Sequence, residues 1–112
     1  MKDQQPTPFS LTVARRGGRV VVTVLGELDL ATAGEVEEAV LPVVRDGGHA
    51  VLDLRGLDFM DSSGVRVVVA AHTAAEQHGG RLSIVLSEDG SPVRRVLEIS
   101  GLVPLLDVVD EP

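Results

Sequence analysis

Three pairs of adjacent glycines punctuate this sequence and limit the lengths of the elements that it can form. The pairs are Gly17-Gly18, Gly47-Gly48 and Gly79-Gly80. Glycine adopts positive φ angles without steric cost, so such pairs mark turns and helix ends. None of them belongs to a G-x-x-x-x-G-K or G-x-G-x-x-G nucleotide motif. The pairs therefore predict short strands and helices joined by turns.

The first apolar segments predict a β-hairpin. Residues 9–13 alternate apolar and polar side chains, and residues 19–25 form a valine-rich run beyond the first glycine pair. Two strand-type runs that flank a glycine turn are typical of hairpins. Residues 1–8 are polar with two prolines, and they predict a flexible leader before a single domain at residues 9–109.

A helix is predicted after the hairpin, because apolar residues recur at i, i+3, i+4, i+7 and i+8. These residues are Val36, Ala39, Val40, Val43 and Val44. Thr32 and Glu35 have the T-x-x-E spacing of a capping box, which predicts the start of the helix. Pro42 lies inside the pattern and predicts a kink or a late irregular turn.

The remaining segments alternate between strand and helix. Strands are predicted at residues 49–54, 81–86 and about 105–109, and a helix is predicted from Ser91-Pro92 to just before Gly101. Residues 62–78 are valine-rich and then alanine-rich, and their length and cap candidates favour helix over strand. The order β-β-α-β-α-β-α-β predicts an α/β domain with a mixed, mostly parallel β-sheet covered by helices.

Charge and composition exclude several classes of function. The 112 residues suit one domain, and a net charge of -7 disfavours binding to nucleic acid or to an anionic membrane. The sequence has no Cys, so disulfides, thiolate metal sites and a Cys nucleophile are absent. It has neither a signal peptide nor an apolar run near the roughly 18 residues of a membrane span. We therefore expect a cytoplasmic protein without membrane insertion.

Two predicted loops, residues 26–32 and residues 58–64, lead into helices at the carboxyl ends of strands, where sites in parallel sheets form. The simplest interpretation of Asp61 or Ser62 is a helix cap. If Asp61 caps the helix, the Ser62 hydroxyl faces solvent and can accept a phosphoryl group. The helix dipole and the free N–H groups of the first turn would then stabilise the added charge.

A catalytic or metal-dependent function is disfavoured. Met60 stands where a G-x-S-x-G nucleophile motif needs its first glycine, and His49, His72 and His78 are placed out of reach of Ser62. No set of potential ligands has the spacing of a metal site, so no metal and no cofactor is expected.

Three further polar residues have both a simple and a functional interpretation. Asp29 is either an exposed loop carboxylate or part of a binding surface, and Thr32 is most simply the helix cap. Arg66 is expected to point outward one turn after Ser62, where it either lines an interface or pairs with Asp61.

The sequence resembles STAS domains, and specifically the bacterial anti-sigma-factor antagonists. The resemblance covers roughly residues 9–109 and includes three separated groups of motifs in the same order. They are VLDL at 51–54 with DFMDSSGV at 58–65, GELD at 26–29 with Thr32, and VRRVL at 93–97 with SGL at 100–102. Pro42 is a departure from the family pattern and affects only the shape of the first helix.

The resemblance implies a binding protein rather than an enzyme. Its partner would be an anti-sigma factor that is also an ATP-dependent serine kinase, and binding would release a sigma factor. Phosphorylation of Ser62, with Ser63 as the second candidate, would break the complex, and a phosphatase would reverse it. The implied partner-binding residues are Asp29, Thr32, Asp61, Ser62, Ser63, Gly64 and Arg66. The alternatives are a STAS scaffold subunit of a transport or signalling complex and, third, a serine hydrolase.

Overall fold

The computed structural model describes residues 7–88 and 90–112, and its elements follow the predicted order. The strands are β1 (Ser10–Arg16), β2 (Arg19–Leu28), β3 (His49–Met60), β4 (Arg81–Val85) and β5 (Asp107–Val109). The helices are α1 (Ala33–Arg45), α2 (Ser62–His78) and α3 (Pro92–Ile99), with a short 3-10 turn at Val103–Leu105. The prediction of a flexible leader falls largely on residues 1–6, which lie outside the described residues.

The five strands form one mixed sheet in the order β1-β2-β3-β4-β5. The pair β1 and β2 is antiparallel, and each of the other three pairs is parallel. Gly17 and Gly18 join the antiparallel pair with φ angles of 53° and 83°, which only glycine adopts at low cost. The structure thus confirms the hairpin and the mostly parallel sheet.

All three helices pack on one face of the sheet. Their buried apolar side chains form a single cluster with alternate strand residues, among them Leu52 and Ile84. The intervening strand positions point to the opposite face, where Val21, Val51 and Val85 form a smaller cluster. The domain therefore has two layers, and the helices cover one face only.

On the helix-free face of the sheet, a chain of polar side chains links the short edge strand β5 to β4 and β3. The hydroxyl of Ser83 in β4 donates a hydrogen bond of 2.6 Å to Asp107, and it lies 2.8 Å from Nε2 of His49 in β3. Arg81 also pairs with the Asp107 carboxylate, at 2.9 Å. The Ser83 hydrogen bond is the main reason why the pKa of Asp107 is below its ordinary value. Side chains thus supplement a strand of only three residues.

The predicted start of α1 after Thr32 is confirmed, the Thr32–Glu35 capping box was wrong, and the kink at Pro42 stays a prediction. Thr32 precedes α1, but its hydroxyl makes no capping bond to the helix, so the Thr32–Glu35 capping box does not form. The hydroxyl is held instead by the loop, donating to the carbonyl oxygen of Glu27 at 2.9 Å. Pro42 lies in the last turn, and α1 continues through it to Arg45. A proline so close to the end removes one backbone bond without ending the helix.

Replacement of Ser83 by Ala is expected to destabilise the domain by about 1–3 kcal/mol, because Asp107 and His49 both lose a buried partner. Urea unfolding measures this change. The matched control is Ser10→Ala, which removes an exposed strand hydroxyl with no side-chain bond in the described part of the chain. Equal unfolding free energies for the two variants would show that the polar chain contributes nothing to stability.

Candidate functional site

Asp61 joins the start of α2 to the end of β2. Its carboxylate accepts a hydrogen bond of 2.8 Å from the backbone N–H of Ser63, which makes Asp61 the N-cap. Its own N–H donates to the carbonyl oxygen of Leu28 at 3.2 Å. The structure therefore confirms that Asp61, rather than Ser62, caps the helix.

The hydroxyl of Ser62 is accessible and uncommitted. Ser62 is the first residue of α2, and its side chain is exposed. Its hydroxyl makes no hydrogen bond to any group within residues 7–88 and 90–112. Ser63 is half-buried, and its N–H is occupied by Asp61. Of the two serines, Ser62 thus offers the more accessible nucleophile for a transferred group.

Gly64 allows α2 to begin directly against the strand ends. It is buried, and a Cβ atom at this position would lie 2.6 Å from Cγ of Met60 and 2.9 Å from Cγ of Leu28. Any side chain here would force Met60, Leu28 or the helix itself to shift. Gly64 was predicted to contact a partner, and the structure places it beneath the surface, where it sets the position of its neighbours.

The loop after β2 is a compact turn built by Asp29. One carboxylate oxygen of Asp29 accepts hydrogen bonds from the N–H groups of Ala31, at 3.0 Å, and Thr32, at 3.2 Å. The N–H of Asp29 in turn donates to the Thr32 hydroxyl at 3.0 Å. An Asx turn of this kind fixes the backbone locally. Its result is that Leu30 stands at the tip with 80% of its surface exposed.

The strands extend further toward the site than the sequence predicted. Residues 26–28 belong to β2 and residues 58–60 belong to β3, with Glu27 paired to Phe59. The loops expected over 26–32 and 58–64 are therefore shorter. Two shifts in the β2–β3 register interrupt the regular pairing, and such bulges obscure the alternation that sequence patterns rely on.

Asp53 stabilises the first of these bulges. Its buried carboxylate accepts hydrogen bonds from the backbone N–H of Arg55, at 3.1 Å, and from the Arg55 guanidinium, at 2.8 Å and 3.0 Å. Burial raises the pKa of Asp53, but the bonds from Arg55 outweigh it, so the pKa lies below its ordinary value. The ionised pair holds β3 at the point where Thr23 pairs with Asp53 and Leu25 next pairs with Gly56.

Exposed apolar side chains that sequence reasoning missed lie on the three elements that meet at the start of α2. Leu30 from the turn, Phe59 from the end of β3 and Val69 from α2 are all exposed, at 80%, 45% and 41%. Ser62, Arg66 and Val69 follow one another at i, i+4 and i+7, so they share one face of α2. We call Leu30, Phe59, Ser62, Arg66 and Val69 the Ser62 face. The available sequence signal was Leu30, an apolar residue that directly follows Asp29 in a predicted loop.

Arg66 does not pair with Asp61, which was one of its two predicted roles. Its side chain is exposed, and no ion pair joins it to any residue in the described ranges 7–88 and 90–112. The Asp61 carboxylate instead turns toward the N–H of Ser63. Arg66 therefore presents its charge to solvent beside Ser62.

The histidines lie away from Ser62. His49 begins β3, at the opposite end of the strand, and His72 lies 3.6 Å from Glu76 on α2. His49 does meet a serine and an aspartate, but Ser83 stands between them and is only 1% exposed. A triad needs the histidine between the serine and the aspartate, so this group does not have the triad arrangement. Across residues 7–88 and 90–112, no cluster of three metal-ligating side chains and no helix able to cross a membrane occurs.

Comparison with known protein families matches residues 10–111 to the STAS domain. The chain belongs to the STAS domain family. Among characterised proteins, it is 35% identical over 98 residues to the anti-sigma-F factor antagonist RsfB of Mycobacterium tuberculosis (strain ATCC 25618 / H37Rv). That alignment covers 87% of this chain and 78% of the relative.

Solved structures of STAS relatives have the same fold. An anti-sigma factor antagonist from Mycobacterium paratuberculosis superposes with a TM-score of 0.80 at 28% identity, covering 93% of this chain and 87% of that one. The Bacillus cell fate determinant SpoIIAA in its phosphorylated form superposes with a TM-score of 0.67 at 27% identity, covering 94% and 92%. These relatives confirm the α/β fold class predicted for this STAS domain.

Replacement of Gly64 by Ala is expected to lower stability by about 1–3 kcal/mol, because the added methyl group overlaps Met60 and Leu28. Thermal unfolding measures the change. Gly34→Ala is the matched control, since Gly34 lies in α1 with nothing within 4 Å of the new Cβ, and it should stabilise the helix by about 0.5–1 kcal/mol. A loss of stability in Gly64→Ala with a gain in Gly34→Ala supports the close approach of α2 to the strands. An unchanged stability of Gly64→Ala contradicts it.

Proposed function

We propose that this STAS domain is an anti-sigma-factor antagonist that binds its anti-sigma factor through the Ser62 face and is switched off by phosphorylation of Ser62. One observation carries the proposal: Asp61 caps α2 and leaves the Ser62 hydroxyl exposed at the first helical position. The similarity to proteins named anti-sigma factor antagonists supports the partner class. The phosphorylated form of SpoIIAA supports the modification.

The chain acts as a substrate and binding partner, and the bound anti-sigma factor supplies the kinase activity. The Ser62 oxygen attacks the γ-phosphorus of ATP, the bond to ADP breaks, and a base of the kinase takes the hydroxyl proton. A phosphatase later hydrolyses the phosphoserine with water. Asp29 and Thr32 contribute by holding the turn that presents Leu30 beside the site.

Phosphorylation acts on the surface of the domain and leaves its fold in place. The phosphoryl group adds about -1.5 to -2 charges at neutral pH where the start of α2 meets the turn with exposed Leu30 and the strand end with exposed Phe59. A partner that buries these side chains would also have to bury the dianion, which is unfavourable without a matching cation. The cap is made by Asp61, so α2 needs no rearrangement when Ser62 is modified.

Incubation of the chain with its cognate anti-sigma kinase, ATP and Mg²⁺ is expected to add one phosphate, seen by intact-mass spectrometry as a single increment. Ser62→Ala removes the accessible hydroxyl and should abolish the increment. Ser63→Ala is the matched control and should retain it, because Ser63 contributes its backbone N–H to the cap and this N–H survives the substitution. Phosphorylation of Ser62→Ala at the wild-type rate would exclude Ser62 as the acceptor.

Leu30→Ala is expected to weaken binding to the anti-sigma factor about tenfold or more, because burial of a leucine side chain contributes roughly 1.5–3 kcal/mol. Isothermal titration calorimetry gives the affinities. Ile99→Ala is the matched control, since Ile99 at the end of α3 is 79% exposed against 80% for Leu30. Equal losses for both variants, or no loss for Leu30→Ala, would remove Leu30 from the interface.

A further inference from the structure

Ser62 and Arg66 lie one helical turn apart on the exposed surface of α2. Both side chains are exposed, and residues at i and i+4 have their Cβ atoms about 6 Å apart. Side chains of a helix lean toward its N-terminus, so an arginine at i+4 reaches back over residue i. Arg66 is also the only Lys or Arg within α2.

The carboxylates near Ser62 already have partners on the backbone. Asp61 accepts from the N–H of Ser63, and Asp29 accepts from the N–H groups of its own turn. Asp58, at the end of β3, accepts a hydrogen bond of 3.3 Å from the N–H of Thr7. Arg66 has no ion pair with any residue in 7–88 or 90–112, so its charge is available to a new anion.

Most backbone N–H groups at the start of α2 already have hydrogen-bond partners and are not free to bind a phosphate. The N–H of Ser63 is bonded to the Asp61 carboxylate, and the N–H groups of Gly64 and Val65 are bonded to the Asp61 carbonyl oxygen at 3.0 Å and 3.2 Å. Of the four N–H groups at the start of α2, only that of Ser62 remains without a partner in the described chain. The expectation that free N–H groups of the first turn stabilise the dianion stays a prediction, and in the unmodified chain three of these four groups are already bonded.

We propose that Arg66 binds the phosphate of phosphorylated Ser62 within the same chain and so acts as the built-in counter-ion of the switch. This inference rests on the proposed function and specifies how its modified state is held. A guanidinium can donate two parallel N–H bonds to phosphate oxygens, which suits a partner one turn away. Phosphorylation then changes the Ser62 face twice, by adding a dianion and by withdrawing Arg66 from any acidic group of the binding partner.

The test is the second ionisation of the phosphate, followed by ³¹P NMR across a pH titration. Phosphoserine is incorporated at position 62 during translation, so the measurement needs no kinase. A nearby cation favours the dianion and lowers its pKa, and Arg66→Gln should therefore raise the phosphate pKa by about 0.3 unit or more relative to wild type. Arg66→Lys keeps the positive charge without the planar guanidinium. The phosphate pKa in this variant should fall between the values for wild type and Arg66→Gln.

The matched control is Arg45→Gln, because Arg45 is an exposed arginine in the last turn of α1, which leads to the opposite end of β3. Charges that far away are screened at physiological ionic strength, so Arg45→Gln should leave the phosphate pKa unchanged. An unchanged pKa in Arg66→Gln, or an equal shift in Arg45→Gln, would overturn the proposal.

The two proposals fail in different experiments. If the cognate kinase does not phosphorylate Ser62 of the wild-type chain, the proposed function fails, whatever the titration shows. If the kinase does phosphorylate Ser62 and Arg66→Gln has the wild-type phosphate pKa, the counter-ion role fails and the proposed function remains. Arg45 and Arg66 are both exposed, and thermal unfolding verifies that each of the three variants is folded.

Discussion

The close contact of Gly64 with Met60 and Leu28 is the constraint on which the site depends. It brings the first turn of α2 against the ends of β2 and β3, because a Cβ atom would lie only 2.6 Å from one neighbour and 2.9 Å from the other. With α2 this close to the strands, the N–H of Asp61 donates a hydrogen bond to the carbonyl oxygen of Leu28. This bond fixes the backbone just before the helix. The direction in which Ser62 points follows from this packing.

Asp61 caps α2, and Ser62 presents a free hydroxyl at the same helix start. Serine and aspartate are both good N-caps, and a capping serine has its oxygen turned inward to the backbone. Here the aspartate makes the cap and the serine hydroxyl stays in solvent. The proposed phosphorylation of Ser62 would therefore leave the Asp61 cap of α2 in place and would act on a protein bound at this surface.

Local patterns predicted the elements that depend on local interactions. The extent of α2 and the Ser91 cap of α3 were predicted correctly, and the cap of α2 was narrowed to Asp61 or Ser62, since each cap involves residues within one turn. The far ends of β2 and β3 were missed because bulges interrupt the alternation, and one of these bulges is held by the pair of Asp53 and Arg55. The predicted Thr32 capping bond was wrong because the Thr32 hydroxyl donates instead to the carbonyl oxygen of Glu27, five residues earlier, which the capping pattern does not include.

The charge around Ser62 explains why a single arginine matters there. The chain carries a net charge of -7, and Asp58 and Asp61 lie close in sequence to Ser62. A dianion added to such a surface meets repulsion, and the first turn of α2 has one free N–H group to offer in the described chain. In the proposed phosphorylated state, Arg66 is then the group that would let the domain itself accommodate the phosphate. A partner that uses an acidic side chain to contact Arg66 loses that contact and meets the phosphate in its place, so one modification opposes binding through two electrostatic effects.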